Sequence, residues 1–133
     1  MEQKRVLILA EHNDEIKKEL KRRFSARCEL TFAEDLQDLD AALSRAEMII
    51  GEPEQAQLSK AAALSVLQLT WAGADKYAGM PDFPEQTTLC NVSGAFGTVI
   101  SEYVLGSIVA FYRALPAYWR DQKSHIWQQR KSS

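Results

Sequence analysis

The sequence has few of the residues from which catalytic and metal sites are commonly built. It contains two cysteines and two histidines in 133 residues, and none of them falls in a Cys-x-x-Cys or other metal-ligand spacing. No Ser/His/Asp arrangement or Walker loop stands out, and no strand–GxGxxG–helix unit occurs. We therefore expect no metal site, no dinucleotide-binding fingerprint and no catalytic residue in this chain.

Strong charge of either sign is also missing. The net charge of -2 gives no field that would attract nucleic acid or an anionic membrane. The most apolar stretch is interrupted by Glu102 and Arg113, which leave ten residues between them, whereas a membrane span needs roughly 20. We therefore expect neither nucleic acid nor a membrane as a partner.

The N-terminal residues and the two cysteines indicate in which cellular compartment the protein is expected. The apolar run after MEQKR is only five residues long and is followed by Glu11, which is too short for a signal peptide. Cys28 and Cys90 fall in two separate predicted strands, so two buried thiols are expected rather than a disulfide. The sequence predicts a cytoplasmic protein.

Short apolar runs alternate with helical patterns along the first hundred residues. This alternation is typical of βαβ units and a mostly parallel sheet. We predict an α/β fold of the flavodoxin-like, doubly wound type, a parallel five-stranded sheet of order 2-1-3-4-5, with a long C-terminal inter-domain helix. The predicted strands are Val6–Ala10, Cys28–Phe32, Met48–Ile50, Leu64–Thr70 and Thr87–Asn91.

The segment Trp71–Asp75, WAGAD, follows the fourth predicted strand. Ligands of open parallel sheets collect at the carboxyl ends of the strands. A glycine between small residues leaves backbone N–H groups unshielded, which suits a small carboxylate or phosphate. The alternative is a simple strand-to-helix turn in which Gly73 supplies an unusual backbone angle, and these five residues alone favour that alternative.

The segment Val99–Leu115 is apolar on nearly every side, with a predicted break at Pro116. A surface helix of a small domain has one apolar stripe, so a helix that is apolar all round must be covered all round. One interpretation is a central core helix. The other is that a partner, a missing domain or a second copy of the chain in a homodimer covers it.

Two stretches together resemble the N-terminal half of the D-isomer-specific 2-hydroxyacid dehydrogenases. LQLTWAGADKY is similar to the strand and small-residue loop of that family. TTLCNVSGAFGTVISEYVLGSIVAFYRALPAYWRDQKSHIW resembles its crossover, with Asn91 at a strand end, the pair Ser101-Glu102 in the helix, and an aromatic segment ending at Trp127. The resemblance implies a substrate domain over residues 1–98, crossover helices over 99–127 and a tail over 128–133.

The resemblance also implies roles for particular residues. The backbone N–H groups of Ala72, Gly73 and Ala74 would hold the substrate carboxylate, and Trp71 would flank them. Asn91 would face the cleft. Thr98 and Val99 would lie near the nicotinamide ring of the cofactor.

The function implied by the resemblance is hydride exchange between NAD or NADP and a 2-keto or D-2-hydroxy acid. In the family, a nucleotide-binding domain supplies the GxGxxG loop and the catalytic Arg, Glu and His. That domain would begin where this sequence ends, so we expect either an excised domain or a natural truncation. No cofactor is expected to bind this chain, and no turnover is expected with NADH and glyoxylate or hydroxypyruvate.

Two other classes of function were compared with this interpretation. A receiver-type signalling domain shares the predicted strand order, but it needs an Asp after the third strand and a Lys after the fifth. The sequence has Glu52 and Asn91 near those places. A non-catalytic interaction module that uses Val99–Leu115 as its interface is the other alternative.

Overall fold

The computed structural model describes residues 3–129. The chain divides into two compact units, one ending at Ser93 and the other beginning at Gly94. The N-terminal unit contains a five-stranded sheet of order β2-β1-β3-β4-β5, and all four neighbouring pairs are parallel. The predicted α/β fold and strand order are therefore confirmed. The strands are β1 Lys4–Ile8, β2 Cys28–Phe32, β3 Met48–Ile50, β4 Val66–Gln68 and β5 Thr88–Cys90.

The sheet is buried on the face that carries Leu7, Ile49 and Leu67, whereas its other face is buried at β1 and Phe32 and is half-buried or exposed along β3, β4 and β5. Successive side chains of a strand point to opposite faces, and in β1 this places Leu7 in one core cluster and both Val6 and Ile8 in another. The larger cluster contains Leu7, Leu43, Ala46, Ile49, Leu58, Ala61, Leu64, Leu67, Leu69 and Tyr77. In β1, where both faces are buried, the sequence is a near-continuous apolar run.

The first strand ends earlier than its apolar run predicts. The run continues through Leu9 and Ala10, but the N–H groups of both residues donate to the carbonyl of Ile50, at 2.8 and 3.2 Å. Two donors on one acceptor do not continue a regular ladder. The chain therefore leaves the sheet at the carboxyl end of β3.

Four helices lie in the N-terminal unit: α1 Asp14–Phe24, α2 Leu39–Arg45, α3 Gln55–Leu58 and α4 Asp75–Ala78. The side chain of Asn13 accepts a hydrogen bond from the N–H of Ile16 and begins α1. The side chain of Asp38 does the same for Ala41 and begins α2. Such caps satisfy N–H groups that have no partner inside the helix. Helix α3 is a single turn that ends at Leu58.

The C-terminal unit consists of α5 Gly97–Tyr112 and α6 Leu115–Lys123. The sequence predicts a helix over Val99–Leu115 with a break at Pro116, and the predicted C-terminal end is wrong, since α5 ends at Tyr112. Pro116 lies in the first turn of α6, and the break is at Arg113 and Ala114, where Ala114 has φ of 53°. A proline ring clashes with the carbonyl four residues earlier, here that of Tyr112, which is the last residue of α5.

Within the described residues, α5 has no buried side chain. Its most exposed large apolar side chains are Phe111 at 80% and Tyr103 at 75%. The interpretation of α5 as a central core helix is therefore wrong. No single helix in residues 3–129 has the length and apolarity of a membrane span, and α5 and α6 meet that criterion only as a pair bent by 62°.

Candidate functional site

The carboxyl ends of β1, β3 and β4 border a cavity of about 650 Å³ in the N-terminal unit. Parallel strands present their carboxyl ends at one edge of the sheet, which is where ligands of such folds bind. The residues that line the cavity are Leu9, Ala10, Glu11, Ala33, Leu39, Glu52, Gln57, Thr70 and Trp71. Trp71 is among these residues, and its predicted role beside the carboxylate-binding N–H groups stays a prediction.

The loop Trp71–Ala74 connects β4 to α4 and is the centre of the candidate site. None of its four backbone N–H groups donates a hydrogen bond to another residue in the described part of the chain. Trp71, Ala72 and Gly73 are exposed. A succession of unpaired N–H groups in a turn is suited to binding an anion, so this loop offers donors to a carboxylate.

Gly73 does not have the unusual backbone angle of a strained turn. Among the described glycines, only Gly51 and Gly94 have positive φ. A Cβ atom added at Gly73 would meet nothing within 4 Å. The interpretation of Gly73 as a residue required for a turn is therefore wrong. The space beside it is open on the side where a side chain would otherwise stand.

Asn91 holds the middle of this loop in place. Its Nδ2 donates to the carbonyl oxygen of Ala72 at 2.7 Å, and its Oδ1 accepts from the N–H of Ser93. The N–H of Val92 donates to the carbonyl of Trp71 at 3.2 Å. Two carbonyl groups of the loop are thus satisfied while its N–H groups stay unpaired. The role of Asn91 as a cleft-facing substrate ligand stays a prediction.

Glu52 is a further residue of this edge, which the sequence analysis did not assign to the site. Its Oε1 accepts hydrogen bonds from both the N–H and the hydroxyl of Thr70, at 2.7 and 2.9 Å. Thr70 immediately precedes the loop Trp71–Ala74. A carboxylate two residues after a predicted strand, at the edge where ligands bind, was the sequence signal that could have identified it.

Helix α4 fixes the other end of the loop. The hydroxyl of buried Tyr77 donates to the carbonyl of Pro53 at 3.0 Å, and burial raises the pKa of that phenol. The ammonium of Lys76 lies 2.9 Å from a carboxylate oxygen of Glu54, a hydrogen bond that raises the pKa of Lys76. Both contacts connect α4 to the segment after β3.

Thr98 and Val99 lie at the start of α5, in the C-terminal unit. Both are exposed. Their predicted place beside the nicotinamide ring stays a prediction. Between residues 3 and 129 there is no group of three or more His, Cys, Asp or Glu side chains that could hold a metal ion.

The sequence matches no protein-family model and no curated protein. Solved structures do match. A D-isomer-specific 2-hydroxyacid dehydrogenase family protein from Aeromonas salmonicida has a TM-score of 0.86 and 30% identity, over 99% of this chain and 43% of its own.

Two further structures share the fold. A glyoxylate/hydroxypyruvate reductase from Sinorhizobium meliloti, NADPH-dependent and solved with NADP and sulfate, has a TM-score of 0.77 and 24% identity, over 98% of this chain and 42% of its own. A probable 2-hydroxyacid dehydrogenase from Rhizobium etli, solved with NADP, HEPES and L(+)-tartaric acid, has a TM-score of 0.72 and 22% identity, over 98% and 42%.

The predicted resemblance to D-isomer-specific 2-hydroxyacid dehydrogenases is therefore confirmed over the whole chain. The chain spans less than half the length of the proteins it matches. This share of their length is consistent with one domain of such proteins.

Proposed function

We propose that this chain, which matches one domain of the D-isomer-specific 2-hydroxyacid dehydrogenases, is the substrate-binding domain of an NAD(P)-dependent oxidoreductase acting on D-2-hydroxy acids and 2-keto acids. The observation that supports this most directly is the loop Trp71–Ala74, with its row of unpaired N–H groups beside a cavity at the ligand edge of the sheet.

The loop suits a substrate whose fixed feature is a carboxylate. Backbone N–H groups bind an anion without a buried positive charge, and the absence of a Cβ at Gly73 leaves the approach open. Two of the similar structures are a glyoxylate/hydroxypyruvate reductase and a complex with tartaric acid, and these compounds belong to the same class. Trp71 would cover one side of the bound acid.

The role of this domain in the reaction is to hold the substrate. A carboxylate fixed by Ala72, Gly73 and Ala74 would present the carbonyl carbon at a defined position, which lowers the entropic part of the barrier. The chain has no glycine-rich phosphate loop, so its residues do not fit the nucleotide. NAD or NADP, the hydride carrier when bound, and the catalytic Arg, Glu and His would come from a nucleotide-binding domain. By itself this chain would be inactive.

The apolar surface of α5 would be covered by that domain or by a second copy of the chain. Its large apolar side chains are exposed, with Val99 at 65% and Leu105 at 63%. An exposed apolar patch of this kind usually marks an interface. This surface also keeps open the alternative of a non-catalytic interaction module.

We further propose that the protein is cytoplasmic. Cys28 and Cys90 are both free thiols. They lie on β2 and β5, the two opposite edges of the sheet, so they cannot form a disulfide with each other. Free thiols that cannot pair in this way are compatible with a reducing compartment.

Calorimetric titration with oxamate, an unreactive 2-keto acid analogue, tests the proposed binding site. We expect measurable binding to the chain and loss of that binding in Gly73→Val, because the new side chain would occupy the space that the carboxylate needs. Gly106→Val is the matched control, since a Cβ at Gly106 also meets nothing within 4 Å. Equal binding by the wild type and Gly73→Val would contradict the proposal.

A further inference from the structure

The segment Gly51–Glu54 contacts both ends of the loop Trp71–Ala74. On one side Glu52 accepts two hydrogen bonds from Thr70, the residue before the loop. On the other side, Pro53 accepts from the Tyr77 hydroxyl and Glu54 from the Lys76 ammonium, both in the helix after the loop. These contacts join residues 18 to 24 positions apart in the sequence.

We propose that Glu52 is a positioning residue, which sets the conformation in which the loop Trp71–Ala74 presents its N–H groups to the substrate carboxylate. This inference rests on the proposed function, since the carboxylate is its ligand. Glu52 acts through Thr70 and need not touch the substrate.

Glu52 is an acidic residue at an edge that is proposed to bind an anion, and its hydrogen bonds explain why it is there. A carboxylate lining this cavity would repel a second carboxylate, so its charge alone would weaken substrate binding. Its Oε1, however, satisfies the N–H and the hydroxyl of Thr70 at once. Thr70 is then fixed immediately before the loop, and an ordered loop loses less conformational entropy when it binds.

Gly51 makes this placement of Glu52 possible. Its φ of 128° lies in the region that glycine favours. A Cβ at this position would stand 2.8 Å from the backbone nitrogen of Ala10, so a side chain has no room beside the end of β1. The chain therefore turns sharply after β3, and Glu52 follows at the end of this turn.

Three variants of the full chain distinguish a positioning role of Glu52 from an effect of its negative charge. Glu52→Ala removes the acceptor, Glu52→Gln keeps an acceptor oxygen but removes the charge, and Thr70→Val removes one of the two donors. Two properties are measured in each: ¹⁵N relaxation of the amides of residues 71–75 without ligand, and the oxamate dissociation constant. Thermal unfolding reports whether each variant is folded.

We expect Glu52→Ala to increase the mobility of the loop amides and to weaken oxamate binding about tenfold, the loss that corresponds to one charge-assisted hydrogen bond. Glu52→Gln should keep the wild-type loop dynamics and bind oxamate at least as tightly as the wild type. Thr70→Val should fall between the two, and it provides the test if Glu52→Ala does not fold.

Glu52→Gln behaving like Glu52→Ala would overturn the inference, because charge rather than position would then be what matters. Unchanged loop dynamics in both Glu52→Ala and Thr70→Val would overturn it as well. The relaxation measurement needs no ligand. A chain that binds no oxamate but loses loop order in Glu52→Ala would therefore contradict the proposed function while supporting the positioning role.

Discussion

The two units of the chain differ in what they do with their apolar side chains. In the N-terminal unit, Leu67 of β4 is fully buried, whereas Leu105 of α5 in the C-terminal unit is 63% exposed. The sheet, α2, α3 and α4 bury apolar residues in a core, whereas none of the described residues of α1 is buried. Helix α5 buries none among the described residues. The first unit therefore has a core of its own, whereas the long helix of the second leaves its apolar side chains exposed.

This difference predicts where truncation of a leucine matters. Leu67→Ala should lower the free energy of unfolding by ~2–5 kcal/mol, because it leaves a cavity in a closed core. Leu105→Ala is the matched control, and its effect should stay within about 0.5 kcal/mol, since the removed atoms are already in water. Urea unfolding measures the free energy of unfolding of both variants. Equal losses in the two would contradict the difference between a unit with a hydrophobic core and a unit whose helix is exposed.

Two glycines of the site edge give a second contrast. Gly51→Ala should destabilise the fold by ~1–3 kcal/mol, because alanine would be strained at φ of 128°. Gly73→Ala should leave stability unchanged or raise it by up to about 1 kcal/mol, because a less flexible unfolded chain loses less entropy. Thermal unfolding distinguishes the two, and a similar loss in both variants would mean that Gly73 is structural after all.

The exposed surface of α5 should promote association of the isolated chain. Ile108→Glu should weaken any self-association about tenfold or more, since it places a charge within the apolar surface. Ile16→Glu on α1 is the control, because Ile16 and Ile108 are equally exposed at 48%. Sedimentation over a range of concentrations measures the association. A wild-type chain that stays strictly monomeric at high concentration would count against this interface.

The smallest effect on stability is expected from an exposed ion pair of the N-terminal unit. Hydrogen bonds from Arg22 and Arg23 lower the pKa of the Glu19 carboxyl from 4.5 to about 2. A lowered carboxyl pKa stabilises the fold above pH 4.5, and this contribution is lost as the pH falls towards about 2. The contribution should be small, because water screens the exposed groups.

Glu19→Gln should therefore differ slightly from the wild type at pH 7 and converge with it near pH 2. Comparing urea midpoints at the two pH values, with Glu15→Gln on the same helix as control, checks the sign. A difference that grows as the pH falls would contradict it.

The parallel sheet could be predicted from the sequence because its apolar runs alternate with helical patterns, which is typical of βαβ units. Strand and helix ends were less predictable. The end of β1 depends on how Leu9 and Ala10 share the carbonyl of Ile50, and the end of α5 depends on which turn accommodates Pro116. These are tertiary and steric details that local periodicity does not contain.

The candidate site was predictable only in part. The loop Trp71–Ala74 could be found because its residues are adjacent in the sequence. The contacts that hold it could not, since Glu52 and Asn91 lie 18 and 19 positions from the residues they contact. Only the folded sheet places the ends of β3, β4 and β5 side by side.

The most direct test of the account is a ¹H–¹⁵N titration of the isolated chain with oxamate. If the loop binds a carboxylate, the largest amide shift changes should fall within residues 71–75, and Gly73→Val should abolish them. No saturable change in these amides, or changes concentrated elsewhere in the chain, would contradict the claim that this domain binds a 2-keto acid through its backbone.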